Sequence, residues 1–400
     1  MKRSGGPLRA RSRGLVRPGV RMACSLMLVG GLAGCGTLSR SEGADRLIPA
    51  VLTPIDVVRV RASNASDVRA LSQDFARRLA TPDGKVSILA LSGGGAKGAY
   101  GAGVIVGWTQ SGQRPAFSIV TGVSTGALAA PFAFLGPTRD DDLKAAYTGE
   151  RTEGLLRWRA LAALLAPSLF SPASLRDLVD ENVTPALLRE VAAEHAKGRR
   201  LFVVTTNLDA EEAVIWDMGA LAARDDEPSL QRFRQVLLAS ASITGVFPPV
   251  LIAGRSAEGE LVQEMHVDGG VNAPFLAVPE SLLGAALAEA LPPGGAIYIL
   301  VNGGLAPDAR KTDGRLRAIL ARTYDSASKA SLRTHLAANA AFAARNGLQL
   351  YVSAIPREVE SSSLDFSPQA MKQLFELGRT RALSGEAWRD GEALSPPAPF

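Results

Sequence analysis

Short apolar runs that end in glycine alternate along this chain with longer segments whose apolar residues recur every three or four positions. Residues 86–91 (VSILAL) form the first such run, leading through Ser92 into a glycine cluster, and residues 117–121 the second, followed by Gly122. A brief continuous apolar run closed by a turn signal predicts a strand buried on both faces. Further strands are expected at 200–206, 213–217, 250–253, 296–301 and 348–354. Residues 67–79 carry Val68, Leu71, Phe75 and Leu79 at helical spacing, with Ser66 or Asp67 as the cap. Small-residue helices are expected at 98–108 and 125–134. Others fall at 155–165, 174–179, 185–197, 232–241, 281–290, 315–345 and 368–383. Strands alternating with helices predict an α/β fold with a mostly parallel central sheet and helices on both faces.

The N-terminus follows a different pattern. A basic stretch precedes an apolar run at 22–34, too short to span a bilayer and suited to the core of a signal peptide. Leu32-Ala33-Gly34-Cys35 resembles the bacterial lipobox, in which the chain is cut before the cysteine and its thiol is lipidated; a plain secretory signal is the alternative. Residues 1–34 therefore read as a lipoprotein-type signal peptide and 35–85 as a tether with an N-terminal helix. Residues 86–385 read as the catalytic domain and 386–400 as a flexible tail. Cys24 lies in the leader and Cys35 is the acylation site, so no pair is left for a disulfide. The expectation is export and lipid anchoring to the cell envelope, and Gly36 after the cysteine favours the periplasmic face of the outer membrane.

Charge then removes one function class. Residues 1–34 hold seven basic residues and no acid; 44 less these seven leaves 37 basic against 39 acidic residues in the rest. The net +5 belongs to the leader, and a nucleic-acid partner finds no support. Three scattered histidines without a free cysteine predict no metal site, and no cofactor is expected.

The loop Ser92-Gly93-Gly94-Gly95-Ala96-Lys97-Gly98 joins a predicted strand to a predicted helix. As a dinucleotide loop it lacks the following acid, since none occurs between Asp83 and Asp140. As a phosphate loop it lacks Ser or Thr after Lys97. Consecutive glycines at a helix start instead gather backbone N–H groups toward a developing negative charge, and the acid-free stretch with Lys97 and Arg114 suits one. Gly122-Val123-Ser124-Thr125-Gly126 sits between a strand and a small-residue helix. That is the setting of a nucleophile elbow, with Ser124 projecting at the turn and the Thr125 N–H aimed at the oxyanion. For the base, His195 reads as a surface residue ending a helix, His335 lies mid-helix, and His266 stands two residues before Asp268. Asp268-Gly269-Gly270, a carboxylate at a strand end entering a glycine turn, is the stronger candidate.

Together these three segments resemble the patatin-like phospholipase family, with similarity over about residues 86–305. The resemblance implies a three-layer sandwich and a Ser–Asp dyad: Ser124 as nucleophile, Asp268 as base. The oxyanion hole would come from Gly93, Gly94, Gly95 and Thr125. Lys97, Gly98, Gly122, Gly126, Gly269 and Gly270 would support the motifs, Lys97 by bracing the loop. The implied reaction is hydrolysis of a lipid or phospholipid acyl ester through an acyl-enzyme. An acyltransferase using the same intermediate and an idle lipid-binding scaffold are the alternatives. Residues 154–170, with Trp158 among leucines and arginines, read either as an interfacial lid or as a core helix, and 315–345 as a helical cover or a plain surface helix.

Overall fold

The computed structural model describes residues 58–78, 85–149, 172–255, 261–284, 294–309 and 311–391. The leader, Cys35, the 154–170 segment and most of the expected 281–290 helix lie outside these residues. The described strands are β1 (Arg59–Arg61), β2 (Ser87–Leu91), β3 (Ile119–Val123), β4 (Arg200–Asn207), β5 (Glu212–Asp217), β6 (Val250–Arg255), β7 (Leu261–Asp268), β8 (Ala296–Val301), β9 (Gln349–Ala354) and β10 (Arg389–Asp390). They form one mixed sheet in the order β1-β5-β4-β3-β2-β8-β9-β10, with the β6–β7 hairpin attached to β4. The central strands β4, β3, β2, β8 and β9 are all parallel, and the edges are antiparallel.

The helices are α1 (Ala65–Arg78), α2 (Gly98–Gln110), α3 (Thr125–Leu135), α4 (Asp140–Thr148), α5 (Pro172–Asn182), α6 (Pro185–Ala196), α7 (Met218–Ala222), α8 (Glu227–Ser240), α9 (Leu316–Arg345) and α10 (Pro368–Leu383). The two larger apolar cores among the described residues are built on different faces of β2. Leu89 and Leu91 of β2 enter a core built with α2, α3, α6, α8 and α10. Ile88 and Ala90 point the other way, into a core with Val68 of α1 and Leu332, Leu336 and Phe342 of α9. The period-two alternation of one apolar strand thus feeds both faces, giving the expected layered α/β arrangement.

Several boundaries differ from the sequence reading. β1 pairs with β5 and α1 packs into the second core, so residues 59–78 belong to the folded unit rather than to a tether. Helix α1 starts at Ala65, capped by Asn64, whose Oδ1 accepts from the N–H of Ser66 at 3.0 Å and Asp67 at 3.3 Å. At the other end, β10 pairs with β9 and Trp388 packs on Trp108 at 4.6 Å, so ordered structure extends past residue 385 into the expected tail. Helix α4, absent from the sequence expectations, opens with Asp140-Asp141-Asp142, acids that suit the positive end of the helix dipole.

Candidate active site

The strand pairing explains why two residues 144 apart in sequence meet. Strand β3 runs beside β4 until Val123 stands opposite Val204. From Thr205 onward β7 occupies that edge of β4, with Asp268 opposite Thr205. The residue leaving β3 is Ser124, so nucleophile and carboxylate candidates come off adjoining ends of the same edge. The Ser124 Oγ donates a hydrogen bond to Asp268 Oδ2 at 2.5 Å, and both residues are buried.

Ser124 has φ +56°, a left-handed conformation uncommon outside glycine. Its N–H donates to Ser240 Oγ at 3.0 Å, and that hydroxyl donates to the Val204 carbonyl at 2.6 Å. The turn allows no side chain at its flanking glycines: a Cβ at Gly122 would lie 2.5 Å from the Gly126 carbonyl, and one at Gly126 2.5 Å from that of Leu91. Tyr147 of α4 donates to the Thr125 carbonyl at 2.5 Å and lies 3.2 Å from Thr125 Oγ1. The glycine loop offered no hint of this phenol; burial raises its pKa well above the ordinary value.

The glycine loop lies beside the serine, and a Cβ at Gly93 would meet Ser124 Cβ at 3.0 Å. Gly93 corrects the expected oxyanion set, because its N–H is bound to the Pro274 carbonyl at 3.2 Å. Gly95 (φ +58°) and Thr125 line the same cavity as Ser124. The loop is held from behind by residues the sequence reading did not single out. Asn302 bonds Ser92 through its backbone N–H and side-chain amide, both at 2.8 Å, and the Ser363 carbonyl accepts from Ala96 at 2.9 Å. Lys97 is half-buried at the end of the short turn Gly95–Lys97, and Gly98 opens α2 against the Thr125 side chain. Arg114 is not part of this site: it is buried against Asp140 at 2.8 Å and the Ala133 carbonyl at 2.6 Å.

Asp268 accepts the Gly270 N–H at 2.7 Å on its other oxygen, while Gly269 packs where a Cβ would lie 2.3 Å from the Val204 carbonyl. Burial pushes the Asp268 carboxyl up from 3.8 to about 6, against the opposing hydrogen bonds from Ser124 and Gly270. No histidine joins the pair. His266 is fully buried, with Nδ1 2.9 Å from Thr205 Oγ1 and Nε2 3.2 Å from Glu264. His335 lies in α9 against the Ser331 carbonyl. His195 is largely buried at the end of α6, 3.6 Å from Asp217, rather than on the surface.

An apolar cavity opens from Ser124. Leu128, Phe132, Tyr147, Leu175, Phe247 and Met371 are among its walls. Among the described residues no group of His, Cys, Asp or Glu could hold a metal ion.

Residues 89–279 match the family model of the patatin-like phospholipases, a stretch that contains the glycine loop, Ser124 and Asp268. Over that stretch the chain is similar to the patatin-like phospholipases. No curated protein matches the sequence. Among solved structures, VipD from Legionella pneumophila is similar at 14% identity, covering 78% of this chain and 68% of that one. Its TM-score of 0.31 is too low to carry an argument.

Proposed function

We propose that the protein is a serine acyl hydrolase that cleaves acyl esters of lipids or phospholipids with a Ser124–Asp268 dyad. The observation that carries this reading is the buried 2.5 Å hydrogen bond between the two side chains at the head of an apolar cavity. Asp268 takes the hydroxyl proton as Ser124 Oγ bonds to the acyl carbon. The carbonyl electron pair moves onto the oxygen, which the N–H groups of Gly94, Gly95 and Thr125 receive. Collapse re-forms the carbonyl and expels the alcohol, which leaves with the proton from Asp268. Water then repeats the sequence on the acyl-enzyme and frees the fatty acid. An ordinary carboxylate is a weak base for a hydroxyl, and a value near 6 narrows that mismatch. The apolar walls suit an acyl chain.

The test compares wild type with Ser124→Ala for fatty-acid release from phospholipid vesicles and from a short-chain soluble ester. Release that vanishes on both substrates is expected; release near the wild-type rate in the variant overturns the assignment. A fluorophosphonate probe should label wild type alone, and an unlabelled, folded wild type would instead mark an idle scaffold. The same reading includes export and anchoring through an acylated Cys35. Cys35→Ser should then abolish incorporation of labelled fatty acid into the protein.

A further inference from the structure

Helix α9 is longer than the sheet it covers. Its 30 residues extend about 45 Å, whereas the six-residue strands β8 and β9 beside it extend about 20 Å. The C-terminal half sits on the second core through Leu332, Leu336, Phe342 and Ala343, and His335 meets Phe275 edge-on at 6.2 Å. The chain leaves β8 at the C-terminal edge of the parallel strands, the edge that carries Ser124, and enters α9 there. The surplus length therefore lies at the N-terminal half, beyond that edge. Partial burial, and then the negative charges of Asp268 and Asp325, push the Tyr324 phenol up to about 12.

The overhanging half is exposed and chemically two-sided. Leu316 is 71% exposed, Ile319 44% and Tyr324 43%. Arg322, Lys329 and Arg333 follow at spacings of seven and four, which puts them within about 40° of one another around the helix. Residues 310–333 hold seven Lys or Arg against two Asp, in a chain whose residues 35–400 carry more acidic than basic groups. Among the described residues, Arg315 pairs with Asp313 and Arg322 with Asp308 at 3.4 Å, and Arg322 also donates to the Asp308 carbonyl. Both pairs are solvent-accessible and so weakly held.

We infer that the N-terminal half of α9 is an interfacial element that docks this edge of the protein onto an anionic lipid bilayer. Leu316 and Ile319 would enter the headgroup boundary while the basic row meets lipid phosphates. A basic helix face beside exposed leucine and isoleucine has that chemistry, and charge complementarity selects an anionic surface. The choice of a bilayer as occupant rests on the lipid-hydrolase reading. The result would be an active-site mouth held against its substrate.

The test uses the full chain with Cys24→Ser and Cys35→Ser and an environment-sensitive thiol dye at Ile319→Cys. Vesicles of mixed phosphatidylglycerol and phosphatidylcholine should shift the dye emission, and pure phosphatidylcholine should not. The same dye at Lys372→Cys on α10, across the sheet, should be indifferent. Charge reversal at Arg322, Lys329 and Arg333 (each to Glu) should weaken the response about a hundredfold at low salt while leaving soluble-ester hydrolysis intact. A dye at 319 that ignores anionic vesicles, matches the dye at 372, or survives charge reversal overturns the proposal. So does a shift that follows protein concentration rather than lipid, which would mark a second copy as the occupant. Loss of ester hydrolysis in every form would sink the hydrolase reading alone, since the dye reports docking without turnover.

Discussion

Glu264 and Asp268 stand on one face of β7, four residues apart, both withdrawn from solvent, and their environments drive them in opposite directions. Burial alone would raise Glu264, but hydrogen bonds from His266 and Arg59 outweigh it and hold the carboxyl at about 2. Asp268 is also raised by burial and has only the Ser124 hydroxyl and one backbone N–H in opposition, so it rises to about 6. The lesson is that burial does not by itself make a base. Sparse, neutral donors leave a carboxylate willing to take a proton, whereas a guanidinium and an imidazole make it a fixed ion.

The Glu264 side is complete in its donors. Trp216 Nε1 donates to Thr205 Oγ1 at 2.8 Å, which leaves the threonine hydrogen for His266 Nδ1 and the Nε2 hydrogen for Glu264. Arg59 adds two contacts to the same carboxylate, one of them at 3.1 Å, and lies over the Trp216 ring at 5.6 Å. Thr205 is also the partner of Asp268 in the ladder. A one-residue slip of β7 would turn Asp268 to the opposite face, so this network fixes the register on which the dyad depends.

The contrast can be broken most directly at Asp268. Asp268→Asn should lower kcat about a thousandfold, because it removes the proton acceptor while keeping the shape. Next in size, Arg59→Met should destabilise the fold by about 3–5 kcal/mol in urea denaturation, since it strands a buried carboxylate. Adding Glu264→Gln to Arg59→Met should recover a large part of that loss; no recovery would mean that packing, not charge, is what Arg59 supplies. A smaller effect of opposite sign comes from the dyad itself. Asp268 has a folded value above its unfolded one, so its contribution to stability is present below about 3.8 and is lost as pH rises through about 6. Asp268→Asn should therefore stabilise the fold at neutral pH by up to about 3 kcal/mol in urea denaturation. Glu264 behaves inversely: its contribution is present above 4.5 and is lost as pH falls toward about 2. Finally, kcat/KM should rise about tenfold per pH unit up to about 6 and then level, with no further inflection from Glu264 above pH 4.

The parts of this site visible in the sequence were those set by local backbone demands. Gly122, Ser124 and Gly126 announce a sharp turn, and Gly93 to Gly95 announce backbone donors, because both follow short buried strands. The partners were invisible for a geometric reason. Arg59 and Glu264 are 205 residues apart, and Gln263, Glu264 and His266 make β7 look polar although His266 is fully buried. Strand β7 could be expected only at its end, next to Asp268. Tyr147 and Asn302 were missed likewise: a tyrosine after a charged segment and an asparagine before two glycines carry no local sign of what they brace. Gly93 shows the converse error, since a motif position gives no indication that Pro274 already holds its N–H.

Strand β1 has a mechanical consequence. It is three residues long, lies at the edge of the sheet, and carries the arginine that grips the strand of Asp268. Tension applied to the chain ahead of residue 58 would load β1 along its axis, in shear against β5, and pass through the Arg59 guanidinium into β7. Force on the amino-terminal side would thus have a route, through one ion pair, to the strand that carries Asp268.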